Sequence, residues 1–143
     1  MAFDNYFKLE FDAKNVNESF ARGVVAMFCT ELKPTLSEVN DIKTAVSEAV
    51  TNSIIHAYGD NDGQITINAK TDGESVTYEI IDTGCGIGDI GKAMQPLYTG
   101  KPECERSGMG FSIMEAFTDE LLVESKIGEG TKITMTKRLS HND

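Results

Sequence analysis

An α+β fold, with one mixed and mostly antiparallel sheet covered on one face by helices, follows from three observations. Short segments of alternating apolar and polar residues recur along the chain. Amphipathic helical stretches lie between them, and turn-forming residues join strands that are neighbours in sequence.

The elements follow in order. Phe7-Lys8-Leu9-Glu10-Phe11 alternates as a half-buried strand does. Asn15 or Asn17 is placed to cap a helix in which Phe20, Val24, Met27, Phe28 and Leu32 recur at helical spacing, until Pro34 breaks it. Thr35-Leu36-Ser37-Glu38 reads as a capping box. It opens a second helix whose apolar face is Val39, Ile42, Val46, Ala49, Val50 and Ala57, ended by Gly59 and the turn at 60–63.

Strands at 64–70 and 75–81 flank a Thr71-Asp72-Gly73 turn. Between Gly84 and Ser107 the periodicity dissolves among Gly84, Gly86, Gly88, Gly91, Gly100, Pro96 and Pro102. A stretch of this length in a compact domain is often a functional lid. A helix is expected from about 109 to 117, and a closing hairpin from 121–126 and 131–136 around Ile127-Gly128-Glu129-Gly130.

The chain has 143 residues, 40% of them hydrophobic, which suits a single domain spanning 1–143. Its formal net charge of −10 and the lack of a basic stripe argue against nucleic acid as a partner. No apolar run reaches the ~20 residues needed to span a bilayer. The N-terminus also lacks a signal peptide's basic start, so a cytoplasmic protein is expected, with no membrane partner. Cys29, Cys85 and Cys104 form no C-x-x-C pair and read as reduced thiols.

Chemistry concentrates in three places. On the second helix, Glu48 and Asn52 stand at i and i+4, one above the other and turned away from the apolar face. An amide oxygen suits Mg²⁺, and a carboxylate can take a proton from a hydroxyl. His56 continues this series at i+8. Asp82 ends an apolar strand and is followed by Gly84 and Gly86. A carboxylate there can accept from an exocyclic amine such as adenine's, and the glycines let backbone approach a ligand. Ser107, Gly108, Met109 and Gly110 lie where the last helix begins, a setting that favours anions. Lys101 and Arg106 could reach a terminal phosphate from the segment between the glycines. No Walker loop is present.

These segments resemble the GHKL family of ATP-binding domains, with Glu48 to Asn52 similar to its N box, Asp82 to Gly86 to its D-x-G-x-G segment, and Gly108 to Gly110 to its second glycine box. Gly130-Thr131 resembles the last motif, whose threonine helps to hold adenine. The resemblance implies a Bergerat-type (GHKL) α/β sandwich with an ATP lid at about 84–107 and an ATP/ADP site assisted by Mg²⁺. It is closer for one branch, the anti-sigma serine kinases of sporulation, through residues 47–52, 101–103, 105–111 and 17–22. That branch implies a homodimer that binds and inhibits a sigma factor and phosphorylates a serine of an anti-anti-sigma protein.

By that resemblance Glu48 and Arg106 are catalytic and Asn52 holds the metal. Asp82, Gly84, Gly86, Ser107, Gly108, Met109, Gly110 and Thr131 bind the nucleotide. Arg22, among acidic and apolar neighbours on the first helix and outside the nucleotide motifs, is expected to dock a protein partner or the dimer mate. Gly100 after Thr99 departs from the branch's usual pair of threonines, and Ala57 stands where glycine is frequent. Rival readings are a histidine kinase catalytic domain, a free-standing ATPase, and an ATP-gated binding module without kinase activity.

Overall fold

Five strands, β1 (Asn5–Asp12), β2 (Gln64–Thr71), β3 (Ser75–Asp82), β4 (Glu120–Lys126) and β5 (Gly130–Arg138), form one sheet in the order β1-β2-β3-β5-β4. Every neighbouring pair is antiparallel, so no parallel ladder occurs among the described residues, in keeping with the mostly antiparallel sheet expected. The computed structural model describes residues 5–58, 62–84 and 110–140. The expected lid segment, with the roles expected of Gly86, Lys101, Arg106, Ser107, Gly108 and Met109, falls mainly outside them.

Strand alternation sends one set of side chains to a common face. Register stacks Phe11 on Ile65, Ile67 on Ile80, and Ile80 on Ile133, all buried. Helices α1 (Val16–Phe28), α2 (Leu36–Asn52) and α3 (Gly110–Ala116) supply the rest of that core through Ala21, Val25, Ile42, Ala45, Val46, Ala49, Val50 and Met114. Each large apolar side chain buried here contributes about 1.5–3 kcal/mol. The outer face of the sheet is polar and cross-linked. Lys132 pairs with Glu79 at 3.1 Å, Asn68 donates to Glu79 at 3.4 Å, and the hydroxyls of Thr77 and Thr136 are 3.2 Å apart.

The first helix differs from the sequence expectation. Phe20 is 51% and Met27 74% exposed, while Ala21, Val25 and Cys29 face the core at i, i+4 and i+8. Small side chains in this row let α1 approach α2 closely, and only Phe28 and Leu32 of the expected stripe reach the core margin. The caps differ too. Asn15 makes no side-chain cap, and Asn17 sits within the helix, its amide donating to the Asp12 carbonyl at 2.9 Å. Burial in this apolar setting pushes the Cys29 thiol up to about 12, so it stays protonated and inert.

Helix α2 is fixed firmly at its start. Thr35 Oγ1 accepts from the Glu38 amide at 3.1 Å, and Glu38 Oε1 accepts from the Thr35 amide at 2.8 Å, completing the capping box. The other Glu38 oxygen accepts from the Ser140 amide at 2.7 Å, and Lys137 pairs with Asp41 at 3.1 Å. The end of β5 therefore holds the N-terminal half of α2. At its other end the helix widens into a π-helical stretch, Ser53–Tyr58, that periodicity did not foretell. Such local widening often marks functional sites.

Candidate functional site

Asp82 is the last residue of β3 and only 4% exposed. Three donors hold its carboxylate. Oδ1 accepts from the Gly84 amide at 3.0 Å and from the Thr131 amide at 3.2 Å, and Oδ2 accepts from Ser53 Oγ at 2.8 Å. Burial raises the carboxyl above its ordinary value, and the bonds from Gly84, Ser53 and Thr131 pull it partly back. Among the described residues Oδ1 has two donors and Oδ2 one, where a carboxylate oxygen can accept about two.

The donors come from three elements. Gly84 follows β3, and the loop geometry turns its N–H back onto Asp82. Thr131 opens β5, and register places it directly opposite Asp82. It is buried, with its hydroxyl 2.7 Å from Ser125 Oγ, which also donates to the Gly130 carbonyl at 2.9 Å. Ser53 follows α2 directly with ordinary helical dihedrals, its N–H bonded to the Ala49 carbonyl, so it continues the buried face of Val46, Ala49 and Val50 and meets β3 there.

Tyr58 locks the same corner from the other end of that stretch. Its hydroxyl donates to the Gln64 carbonyl at 2.6 Å and accepts from the Thr83 amide at 2.8 Å. One phenol thereby joins the helix end, the start of β2 and the turn after Asp82. A methyl group at Gly63 would collide with the Tyr58 ring, which accounts for a glycine there.

Gly130 is required for two reasons. Its φ of +108° lies in the region glycine favours, and a Cβ at that position would strike the Asp82 carbonyl oxygen and Thr83 Cα. Gly130→Ala is expected to lower folding stability by about 1–3 kcal/mol, by overpacking a contact that is backbone on both sides. Urea unfolding reads this directly. An unchanged midpoint would mean that β3 and β5 separate here without penalty.

Glu48 and Asn52 lie half-buried on α2, one turn apart, and Asn52 is followed at once by Ser53, the residue bonded to Asp82. The structure thus brings Asp82, Gly84 and Thr131 together with Ser53 at the end of α2, with Asn52 the preceding residue and Glu48 a turn earlier. Gly110 begins α3, which packs along α2. Arg22 stands on α1 beside Glu18, their side chains 3.5 Å apart, and shares a groove with Glu48. Ser53, Tyr58 and Ser125 were not singled out from sequence. Helical spacing places Ser53 on the same face as Val46, Ala49 and Val50, and a hydroxyl on that buried face is the signal that could have flagged it.

Among the described residues, no group of three or more His, Cys, Asp or Glu side chains is placed to hold a metal ion. A divalent ion at this corner would lean on the Asn52 amide oxygen, phosphate oxygens and water, a donor set that Mg²⁺ accepts. No helix among the described residues is long and apolar enough to cross a membrane.

An antiparallel sheet with helices on one face and an acid at a strand end defines a class. The family model described as "Histidine kinase-like ATPase domain" matches residues 10–137. An anti-sigma F factor of Clostridium acetobutylicum is 54% identical over 137 residues, covering 96% of each chain. Those of Caldanaerobacter subterraneus subsp. tengcongensis and Thermoanaerobacter pseudethanolicus are 55% and 57% identical, over 99% and 96% of each chain.

Two solved structures share the fold. The RsbU and RsbW domains of a Mycobacterium tuberculosis protein match with a TM-score of 0.68 at 22% identity, covering 96% of this chain and 32% of that one. The catalytic domain of histidine kinase ThkA, nucleotide-free, matches with a TM-score of 0.58 at 17% identity, over 95% and 99% of the two chains. The chain belongs to the histidine kinase-like ATPase (GHKL) family and, within it, to the anti-sigma F factors.

Proposed function

We propose that this protein is a cytoplasmic, homodimeric, single-domain anti-sigma factor that captures and inhibits a sporulation sigma factor and uses Mg-ATP to phosphorylate a serine on an anti-anti-sigma partner. One observation carries the nucleotide part of this reading. A buried carboxylate, Asp82, whose Oδ2 has a single donor among the described residues, is tied through that donor, Ser53, to the helix that presents Glu48 and Asn52. The partners follow from the anti-sigma F factor relatives, which match this chain over nearly its whole length.

In this reading the adenine amine donates to Asp82, and Thr131 borders the base. Backbone at Gly84, Gly86, Ser107, Gly108, Met109 and Gly110 follows the phosphates, and Arg106 approaches the γ-phosphate. Mg²⁺, when bound, neutralises phosphate oxygens, and the Asn52 amide oxygen would hold it. The partner's serine gives its proton to the Glu48 carboxylate as its oxygen bonds to the γ-phosphorus. The bond to the β–γ bridging oxygen breaks, and ADP leaves. Positioning and electrostatics supply most of the acceleration in such transfers. Arg22 docks a protein partner.

Mass spectrometry of the purified protein incubated with Mg-ATP and its cognate anti-anti-sigma protein tests this. Phosphate on a partner serine is expected, and free phosphate alone or no transfer would overturn the kinase reading. Asn52→Ala is expected to weaken Mg-ATP binding about tenfold or more, as loss of a hydrogen-bonding ligand to a charged centre does. A nucleotide titration identical to the parent's would remove Asn52 from the metal site.

A further inference from the structure

Next to Glu48, on the side away from Asp82, a groove of about 310 Å³ opens between α1 and α2, lined by Arg22, Asn40, Lys43, Thr44, Ser47 and Glu48. The volume is at the low end for ligand clefts, enough for the tip of a loop rather than a whole element. No apolar side chain lines it among the described residues. Its two cations face a single carboxylate, in a chain whose net charge is −10. Arg22 is partly balanced by Glu18. Lys43 is exposed and makes no ion pair among the described residues, so its charge is available to an incoming group.

The direction of the groove matters. Asn40, Thr44, Glu48 and Asn52 follow one another at i, i+4 along α2, each step rising about 6 Å. The groups assigned to the nucleotide, Asn52 and the Ser53–Asp82 pair, lie on the C-terminal side of Glu48. The α2 residues of the groove lie on its N-terminal side or are Glu48 itself. In-line phosphoryl transfer needs the attacking oxygen opposite the leaving oxygen. An acceptor that enters by the groove reaches Glu48 from the side away from the groups assigned to the nucleotide, an approach compatible with that requirement.

Resting on the kinase reading above, we propose that this groove receives the acceptor segment of the protein substrate, and that Lys43 recognises a carboxylate two or three residues from the acceptor serine. Lys43 and Glu48 are separated by about 7.5 Å of axial rise. An extended chain advances about 3.3 Å per residue, so two or three residues bridge that span. Thr44 and Ser47 lie between them with hydroxyls able to bond the segment's backbone. Lys43 is a specificity residue and touches neither the nucleotide nor the reacting atoms.

Steady-state phosphorylation of the cognate anti-anti-sigma protein by the full-length chain tests this, with Lys43→Gln and Lys43→Glu beside the parent. KM for the protein substrate should rise about threefold with Lys43→Gln and about tenfold with Lys43→Glu, with kcat and the ATP titration unchanged. A substrate in which the acidic residue nearest the serine is replaced by lysine should recover its lower KM with Lys43→Glu. Normal transfer by the parent with unchanged KM in both variants would overturn the groove assignment alone. No transfer by the parent would overturn the kinase reading, and this proposal with it.

Discussion

Replacement of Glu48 by glutamine is expected to leave nucleotide binding and sigma-factor capture intact while phosphate transfer falls by about 10²–10⁴-fold, the usual contribution of a positioned general base. The two side chains have nearly the same shape, so α2 and the contacts beside it are kept. Glutamine offers an amide oxygen of very low basicity, and the acceptor hydroxyl loses its proton sink. The half-buried place of Glu48, one turn before Asn52 and at the mouth of the groove shared with Arg22, is what a base between donor and acceptor requires. Single-turnover transfer at saturating ATP isolates the chemical step. A variant that transfers at the parental rate would strip Glu48 of this role.

Asp82→Asn is expected to weaken ATP binding by roughly 10- to 100-fold, the loss of one hydrogen bond to a charged acceptor. It should do so without unfolding the protein. Burial raises the Asp82 carboxyl above its ordinary value, so the folded state holds that proton more tightly than the unfolded chain does. The ionised carboxylate therefore costs stability in full above the folded-state value, and the cost shrinks as pH falls through that value and is gone below the unfolded-state one. Asparagine carries no such charge, and its oxygen can still accept from the Gly84 and Thr131 amides.

The melting temperature near neutral pH should thus stay level or rise while affinity drops. The parent's affinity should also decline on acidification, starting at a higher pH than an ordinary aspartate would give, and the variant should lack that decline. Calorimetric titration across pH separates these outcomes. Parental affinity in the variant would exclude Asp82 from base recognition, and a collapsed melting transition would assign it to the fold instead.

Much of this architecture is legible in the chain because it rests on local rules. The capping box at Thr35 and Glu38 and the alternation in β2 and β3 need only neighbours a few residues apart. The face of α2 is legible for the same reason. Helix α1 shows where this fails. Phe20 and Met27 carry the stronger apolar signal, yet Ala21, Val25 and Cys29 occupy the core because close helix approach selects small side chains. Hydrophobicity alone does not encode that spacing.

At the site, Asp82 and Asn52 stand out as residue types in suggestive settings. Ser53 continues the apolar face of α2 at i+4 from Ala49, but nothing local to the helix names the carboxylate at the end of β3 that its hydroxyl meets. Gly130 is recognisable as a turn residue, but the backbone of β3 that excludes any side chain there is 48 positions away in sequence, as 130 less 82.

The peptide unit joining positions 52 and 53 has a thermodynamic corollary. If the amide on one side grips the ion and the hydroxyl on the other steadies the base-reading acid, neither can shift without dragging its neighbour. Magnesium and adenine would then report on each other's occupancy through a single rigid link, and whatever either gains from the other must be returned in equal measure.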